Sequence, residues 1–439
     1  MNRTILESSL AENIGANEKG NLTFASYDTV ELSKKYGTPL YLIDEEFVRS
    51  RIRAYKSSME KYYPKGSFPI FASKALSFKR IYEVLKEEGI GTDVVSIGEM
   101  FTAIKAGLSL DNAFFHGNNK TDQEINYAIS NNIGYFVVDN LEELEAINTF
   151  SKEKSKIQKI VIRLTPGIDP HTLKAINTGS VDCKFGCAIE TGQAQEITAK
   201  ALSLTNVELC GFHCHIGSQI FDSTPFIEAV DIMTEFMAKM SQEYNFNAKI
   251  LNLGGGFSVK YIESDPDLDI EKCIKEVGER LTLKCNEFNI PMPIIVHEPG
   301  RSLVADAGLT LYTVGSKKDI RGFKTYVSVD GGMGDNPRYA LYESKYTATV
   351  ANKCLDAKTL KCTLAGRCCE SGDLIAEDIM LQDAQKGDIV AVFTTGAYNY
   401  SMASHYNRVP KPPVVMLTNE KDYVAVKRET LEDLILHDI

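Results

Sequence analysis

Apolar, β-type runs recur along the chain from about residue 68 to 300, and each runs out into polar or glycine positions. They are FPIFASK (68–74), GTDVVS (91–96), AFFHG (113–117), YFVVDN (135–140), IVIRLTPG (160–167), LCGFHCHIG (209–217), KILNLGGG (249–256) and PIIVHEPG (293–300). Between them lie stretches with apolar residues at helical spacing, among them FKRIYEVLKEEG, LEELEAINTFSKE, TPFIEAVDIMTEFMAKMSQEY and IEKCIKEVGERLTLKCNEF. Eight strands alternating with helices predict an α/β fold, a closed (β/α)8 barrel of TIM type, over residues 46–307. An open doubly wound sheet is the second choice. Beyond residue 308 short β-like runs with turn signals take over: LTLYTVGS, TYVSVDGG, KCTLAGR, DIVAVFTTGAY, PPVVMLTN and DYVAVKRE. They predict a β-rich domain over 308–439. LTFASY and TPLYLID assign residues 1–45 to that same domain.

Barrel enzymes build their sites at the C-terminal ends of the strands. Here those ends carry Lys74, Asp93, His116, Asp139, Arg163, His215, the glycines Gly254, Gly255 and Gly256, and Glu298 with Arg301. A polar residue at one strand end is ordinary; a set spread over all eight is a site. A lysine such as Lys74 can act as a nucleophile toward a carbonyl, and burial would lower its pKa toward neutrality. Three successive glycines let backbone amides approach a phosphate, although a tight strand–helix turn uses them equally well. HEPGR (297–301) sets a carboxylate beside a guanidinium; Glu298 could pair with a protonated pyridine nitrogen and Arg301 could clamp a carboxylate, against a plain turn with a surface ion pair. HCHIGSQI (213–220) offers His213 and His215, with His297 as a third nitrogen, to a zinc ion in a rival reading as a metal-dependent hydrolase. An imidazole at 215 could instead stack on a planar cofactor ring, with Ser218 donating to a phosphate. In GRCCESGD (366–373) a cysteine is followed by Glu370, Ser371 and Asp373, able to donate a proton and to accept from an ammonium group; a buried structural cysteine is the alternative.

Composition narrows the setting. A net charge of −11 and the lack of a basic block argue against a nucleic-acid partner. No apolar run is long enough to span a bilayer, and the polar first twenty residues have no signal-type apolar core. Ten cysteines with no paired zinc-type CxxC pattern then point to free thiols in a reducing, cytoplasmic setting.

Taken together, FASKA, GTDVVSIGEM, HGNNKT, KFG (184–186), HIGSQI, GGGF, HEPGR, MGDNPRYALY (333–342), CESGD (369–373) and GAYNYSMASHYN (396–407) carry a resemblance over nearly the whole chain. The chain resembles the fold-type III pyridoxal-phosphate decarboxylases, and within them the diaminopimelate decarboxylase family. Two positions depart from the family pattern, Leu76 in place of asparagine and Ile97 in place of glycine. The resemblance implies pyridoxal 5'-phosphate as cofactor, no metal, and decarboxylation of meso-2,6-diaminopimelate to L-lysine. It implies Lys74 as the Schiff-base lysine, Asp93 supporting lysine and ring, His215 stacked on the ring, and Glu298 at its nitrogen. Ser218, Gly254, Gly255, Gly256, Gly300, Arg301 and Tyr398 complete the implied cofactor set, and Arg163 has a supporting role. Arg301, Arg338, Tyr342, Glu370 and Tyr398 are the implied substrate set. Cys369 resembles a catalytic cysteine contributed across a homodimer interface. Same-fold decarboxylases of ornithine, arginine or carboxynorspermidine, and an inactive binding homologue, are the alternatives. An unpaired arginine argues against the former, and the presence of both lysine and cysteine against the latter.

Overall fold

A computed structural model describes residues 12–168 and 182–439, which separate into two compact units. Of these residues one unit comprises 51–168, 182–258 and 267–300, the other 12–50, 259–266 and 301–439.

The first unit is the barrel. Its strands are β1 (Phe68–Ala72), β2 (Gly91–Val94), β3 (Phe114–Phe115), β4 (Tyr135–Val138), β5 (Gln158–Thr165), β6 (Val207–His213), β7 (Ile250–Asn252) and β8 (Ile294–His297). All neighbours pair in parallel, and β8 pairs back onto β1, which closes the sheet. The eight strands are the eight apolar runs of the sequence. Closure leaves no open edge and packs a continuous interior of Ile70, Phe114, Val137, Val161, Cys210, Ile250 and Val296, one from every strand but β2. The helices start where the sequence supplies a cap. Ser96 and Asn140 accept from the backbone of Glu99 and Glu143, and Thr121 with Glu124 forms a capping box. Gly89, left-handed, ends the helix Lys79–Glu88.

The second unit is built on a nine-stranded sheet. Its long strand Gly308–Ile320 pairs with Leu40–Asp44, Lys324–Val329 and Ile389–Phe393. Leu40–Asp44 in turn pairs with Val414–Leu417, so the TPLYLID segment lies inside this sheet. LTFASY instead forms part of a separate three-stranded sheet. Two strands, Ala348–Val350 and Leu374–Leu381, have no counterpart among the predicted runs. The second is interrupted at Asp378, whose φ of 54° breaks the alternation that marks a strand. Among the described residues no helix is long and apolar enough to cross a membrane.

Candidate active site

The strand ends of the barrel converge on Glu298. It is 6% exposed and lies one residue beyond β8. His116 Nε2 donates to Glu298 Oε1 at 2.8 Å, Asn252 Nδ2 donates to the same oxygen at 2.7 Å, and His213 Nε2 donates to Oε2 at 3.2 Å. Burial alone would raise the carboxyl's pKa, but electrostatic attraction to His116 and His213 and their hydrogen bonds hold it well below its usual range. Burial also pushes both imidazoles down, His213 to about 4. The two directions agree if the rings are neutral donors: three N–H groups then face one carboxylate, and the negative charge stays on Glu298. The His213 Nδ1 is buried without a partner among the described residues, as fits a lone pair on that nitrogen. A carboxylate has about four lone-pair sites, so Oε2 can accept one N–H more.

Lys74 stands in the short turn Ser73–Ala75 that ends β1. Asp93, at the end of β2, accepts the Ser73 N–H at 2.7 Å and so ties this turn to the next strand. Burial, then repulsion from Glu298, raises the Asp93 carboxyl well above its usual range. The Lys74 side chain is exposed, so the burial expected from the sequence is not found. A Cβ at Gly300 would stand 2.8 Å from Ala72 Cβ and 3.2 Å from Ala75 Cβ. Gly300 is therefore required for the chain to pass against the Lys74 turn.

The glycines after β7 are shaped by the same crowding. A Cβ at Gly255 would meet the Glu298 carbonyl oxygen at 2.2 Å, and one at Gly256 the Gly217 oxygen at 2.5 Å. Gly254 and Gly256 also have φ of +67° and +112°. Their amides differ. Gly254 N donates to Asn252 Oδ1 at 2.9 Å and Gly255 N to His215 Nδ1 at 3.3 Å. The Gly256 N–H has no partner among the described residues. His215 is half-buried, and burial first, then Lys74, holds its imidazole well below its usual pKa.

The zinc reading is overturned by these positions. His297 bonds Tyr63 Oη through Nε2 at 2.8 Å and lies against the Phe257 ring, a satisfied core histidine. Among the described residues the compact metal-type cluster is His116, His213 and Glu298, and its members already hydrogen-bond one another. Arg163 is buried, with its guanidinium 4.5 Å from the Phe185 ring of KFG. Asp139 accepts the Gly186 N–H at 2.9 Å.

The second unit holds a separate cluster. Arg338 is 4% exposed; Nη1 donates to Tyr346 Oη at 3.0 Å and Nη2 to Ser344 Oγ at 3.2 Å. Among the described residues no carboxylate lies within ion-pair distance of it. Arg301 donates to Tyr261 Oη at 2.6 Å and stands over the Tyr398 ring at 4.7 Å. Tyr342 is half-buried. Cys369 and Glu370 are exposed, and the Cys369 N–H donates to Asn407 Oδ1 at 2.8 Å. Burial, then Asp373, pushes the neighbouring Cys368 thiol up to about 11.

Asp373 is not a free acceptor for an ammonium group, as the sequence allowed. It is 3% exposed and accepts N–H from Met333 at 2.5 Å and from Cys368 at 2.6 Å. It clamps the turn that presents Cys369 and Glu370. Asp373→Ala leaves two donors without their acceptor, at about 1–3 kcal/mol each. We expect a lower melting temperature and a several-fold loss of activity, with Asp373→Asn milder; an Asp373→Ala protein that melts like wild type would refute the clamp. The sequence also missed Tyr261, Tyr346, Asn252 and His116's bond to Glu298. A polar asparagine inside the apolar run ILNL was the one available signal.

A family model described as the pyridoxal binding domain of pyridoxal-dependent decarboxylases matches residues 47–305, and the class this defines is an enzyme that works with pyridoxal phosphate. A diaminopimelate decarboxylase of Bacillus methanolicus is 45% identical over 94% of this chain and 95% of its own. One from Bacillus subtilis is 42% identical over 96% of each. The M. jannaschii enzyme of that name, solved with L-lysine, superposes with a TM-score of 0.89 at 33% identity over 98% of both chains. The chain belongs to the diaminopimelate decarboxylase family.

Proposed function

We propose that the groups described above divide the work of one reaction, the conversion of meso-2,6-diaminopimelate to L-lysine and CO2. The residues of the barrel fit pyridoxal phosphate: Lys74 offers an exposed amine, Gly256 an open N–H for a phosphate, and Glu298 an ionised carboxylate for a ring N–H. Ser218, Gly254, Gly255, His215, Asp93 and Gly300 complete that set. When bound, the cofactor supplies an electron sink for the carbon that loses CO2. Glu298 keeps a proton on the ring nitrogen, because His116, His213 and Asn252 hold its charge in place. A proton must then return to the substrate carbon, and the Cys369 thiol and Lys74 amine are the two groups able to deliver it.

The observation that carries the substrate is Arg338: a buried guanidinium surrounded by hydroxyl groups, with no carboxylate partner among the described residues. A buried charge is costly unless paired, so this arginine calls for an anion from outside. The distal carboxylate of diaminopimelate supplies one; ornithine, with its single carboxylate at the reacting carbon, does not. Arg301 and Tyr342 join it, and Glu370 takes the distal ammonium. Purified protein with pyridoxal phosphate, offered a panel of amino acids, should release CO2 fastest from meso-diaminopimelate. Faster release from ornithine or arginine would overturn the substrate.

Cys369 and Glu370 stand exposed on the chain. We assign them to the active site of a second copy, in a cytoplasmic homodimer. Lys74→Ala and Cys369→Ala should each be nearly inactive. After subunit exchange about a quarter of wild-type activity should return, since each mixed dimer holds one intact site. No recovery despite demonstrated exchange would refute the shared site.

A further inference from the structure

Two arginines share one tyrosine. Tyr261, in the segment 259–266 that belongs to the β-rich unit, is 4% exposed within that unit's apolar core. Its hydroxyl accepts from Arg301 Nη1 at 2.6 Å. Its ring lies 4.1 Å from the Arg338 guanidinium carbon, measured to the centroid. One side chain thus holds Arg301 by its oxygen and Arg338 by its π face. The tyrosine is itself fixed. Its backbone N–H donates to Asp265 Oδ2 at 2.8 Å, and its carbonyl accepts from Thr347 Oγ1 at 2.9 Å. The Tyr346 ring packs edge-on against it at 5.6 Å and 76°. Tyr346 also accepts from Arg338 and bonds Asn399, whose Nδ2 reaches its hydroxyl at 3.1 Å and the Thr395 carbonyl at 3.1 Å.

We propose that Tyr261 is a positioning residue that aims both guanidinium groups at the distal carboxylate of the substrate. This rests on the substrate reading given above. Arginine side chains are long and flexible, and freezing two of them during binding would weaken affinity. An aromatic ring locked in an apolar core pre-sets them before substrate arrives. Arg301 uses the hydroxyl and also lies 5.7 Å from the ring centroid, whereas Arg338 uses the ring, so removing the hydroxyl alone separates the two.

Tyr261→Phe removes the hydroxyl and keeps the ring; Tyr261→Leu removes both. For meso-diaminopimelate, KM should rise about tenfold in Tyr261→Phe, with kcat within about threefold of wild type, and further in Tyr261→Leu. For L-ornithine, which has no distal carboxylate when it reacts, kcat/KM should stay within about twofold in Tyr261→Phe. The preference for diaminopimelate over ornithine should therefore fall. A structural role alone would lower both substrates together and leave that ratio intact. Melting curves check that Tyr261→Phe is folded. If wild type prefers diaminopimelate but Tyr261→Phe keeps both KM and ratio, the positioning role is wrong and the substrate reading stands. If wild type shows no preference for diaminopimelate over ornithine, both are wrong.

Discussion

Lys74→Ala is expected to lose turnover by about a thousandfold or more in kcat, the scale seen when a covalent catalytic group is removed. The argument is positional. The turn Ser73–Ala75 is tied down by the Ser73 N–H to Asp93 and by close packing of Gly300 on Ala72 and Ala75. The Lys74 amine leaves this rigid base exposed, free to react with a carbonyl. The wild-type protein should be yellow with bound cofactor, and borohydride should fix that cofactor to the peptide containing Lys74. Lys74→Ala should lose the label while keeping its melting temperature, because an exposed side chain carries little packing. A label on any other peptide, or more than a tenth of wild-type activity in the variant, would sink the assignment.

The second large effect concerns substrate choice. Arg338→Met should reduce kcat/KM for meso-diaminopimelate about ten- to a hundredfold, since a charge-assisted hydrogen bond is worth about 1.5–3 kcal/mol. The absorbance of the bound cofactor should be unchanged, because Arg338 contacts Tyr346, Ser344 and the Tyr261 ring and is proposed to serve the substrate. Methionine fills much of the space among these rings without a charge, which separates loss of the grip from loss of packing. Unaltered kcat/KM in a folded Arg338→Met protein would remove the arginine from the substrate site.

Much of this was legible in the chain. Each barrel strand is a short apolar run bounded by polar or glycine residues, and alternation with helical periods left few topologies to consider. Lys74, Asp93, His215, Glu298 and the glycines of GGGF fall at strand ends in the sequence itself, and a barrel gathers strand ends at one face. The motifs that carry the family resemblance are likewise local, as is the cysteine before ESGD.

What the sequence could not decide depends on approach between distant segments. His213 and His215 differ by two positions, yet one donates to Glu298 and the other accepts from Gly255; the end of β6 at His213 sets that difference. Asp373 reads as a possible ligand for an ammonium group, but forty residues of intervening chain bring the Met333 amide to it. Of the three glycine amides, local spacing marks all as equivalent; the folded chain commits two and leaves Gly256 open. Tyr261 shows no motif at all, since its role exists only once Arg301 and Arg338, 40 and 77 positions further along, pack on its two parts. Period and residue type determine which elements form and which chemistry they can carry. Packing at short range decides which donors and charges remain for a substrate, because a buried polar group takes whichever partner the tertiary fold brings within about 3 Å.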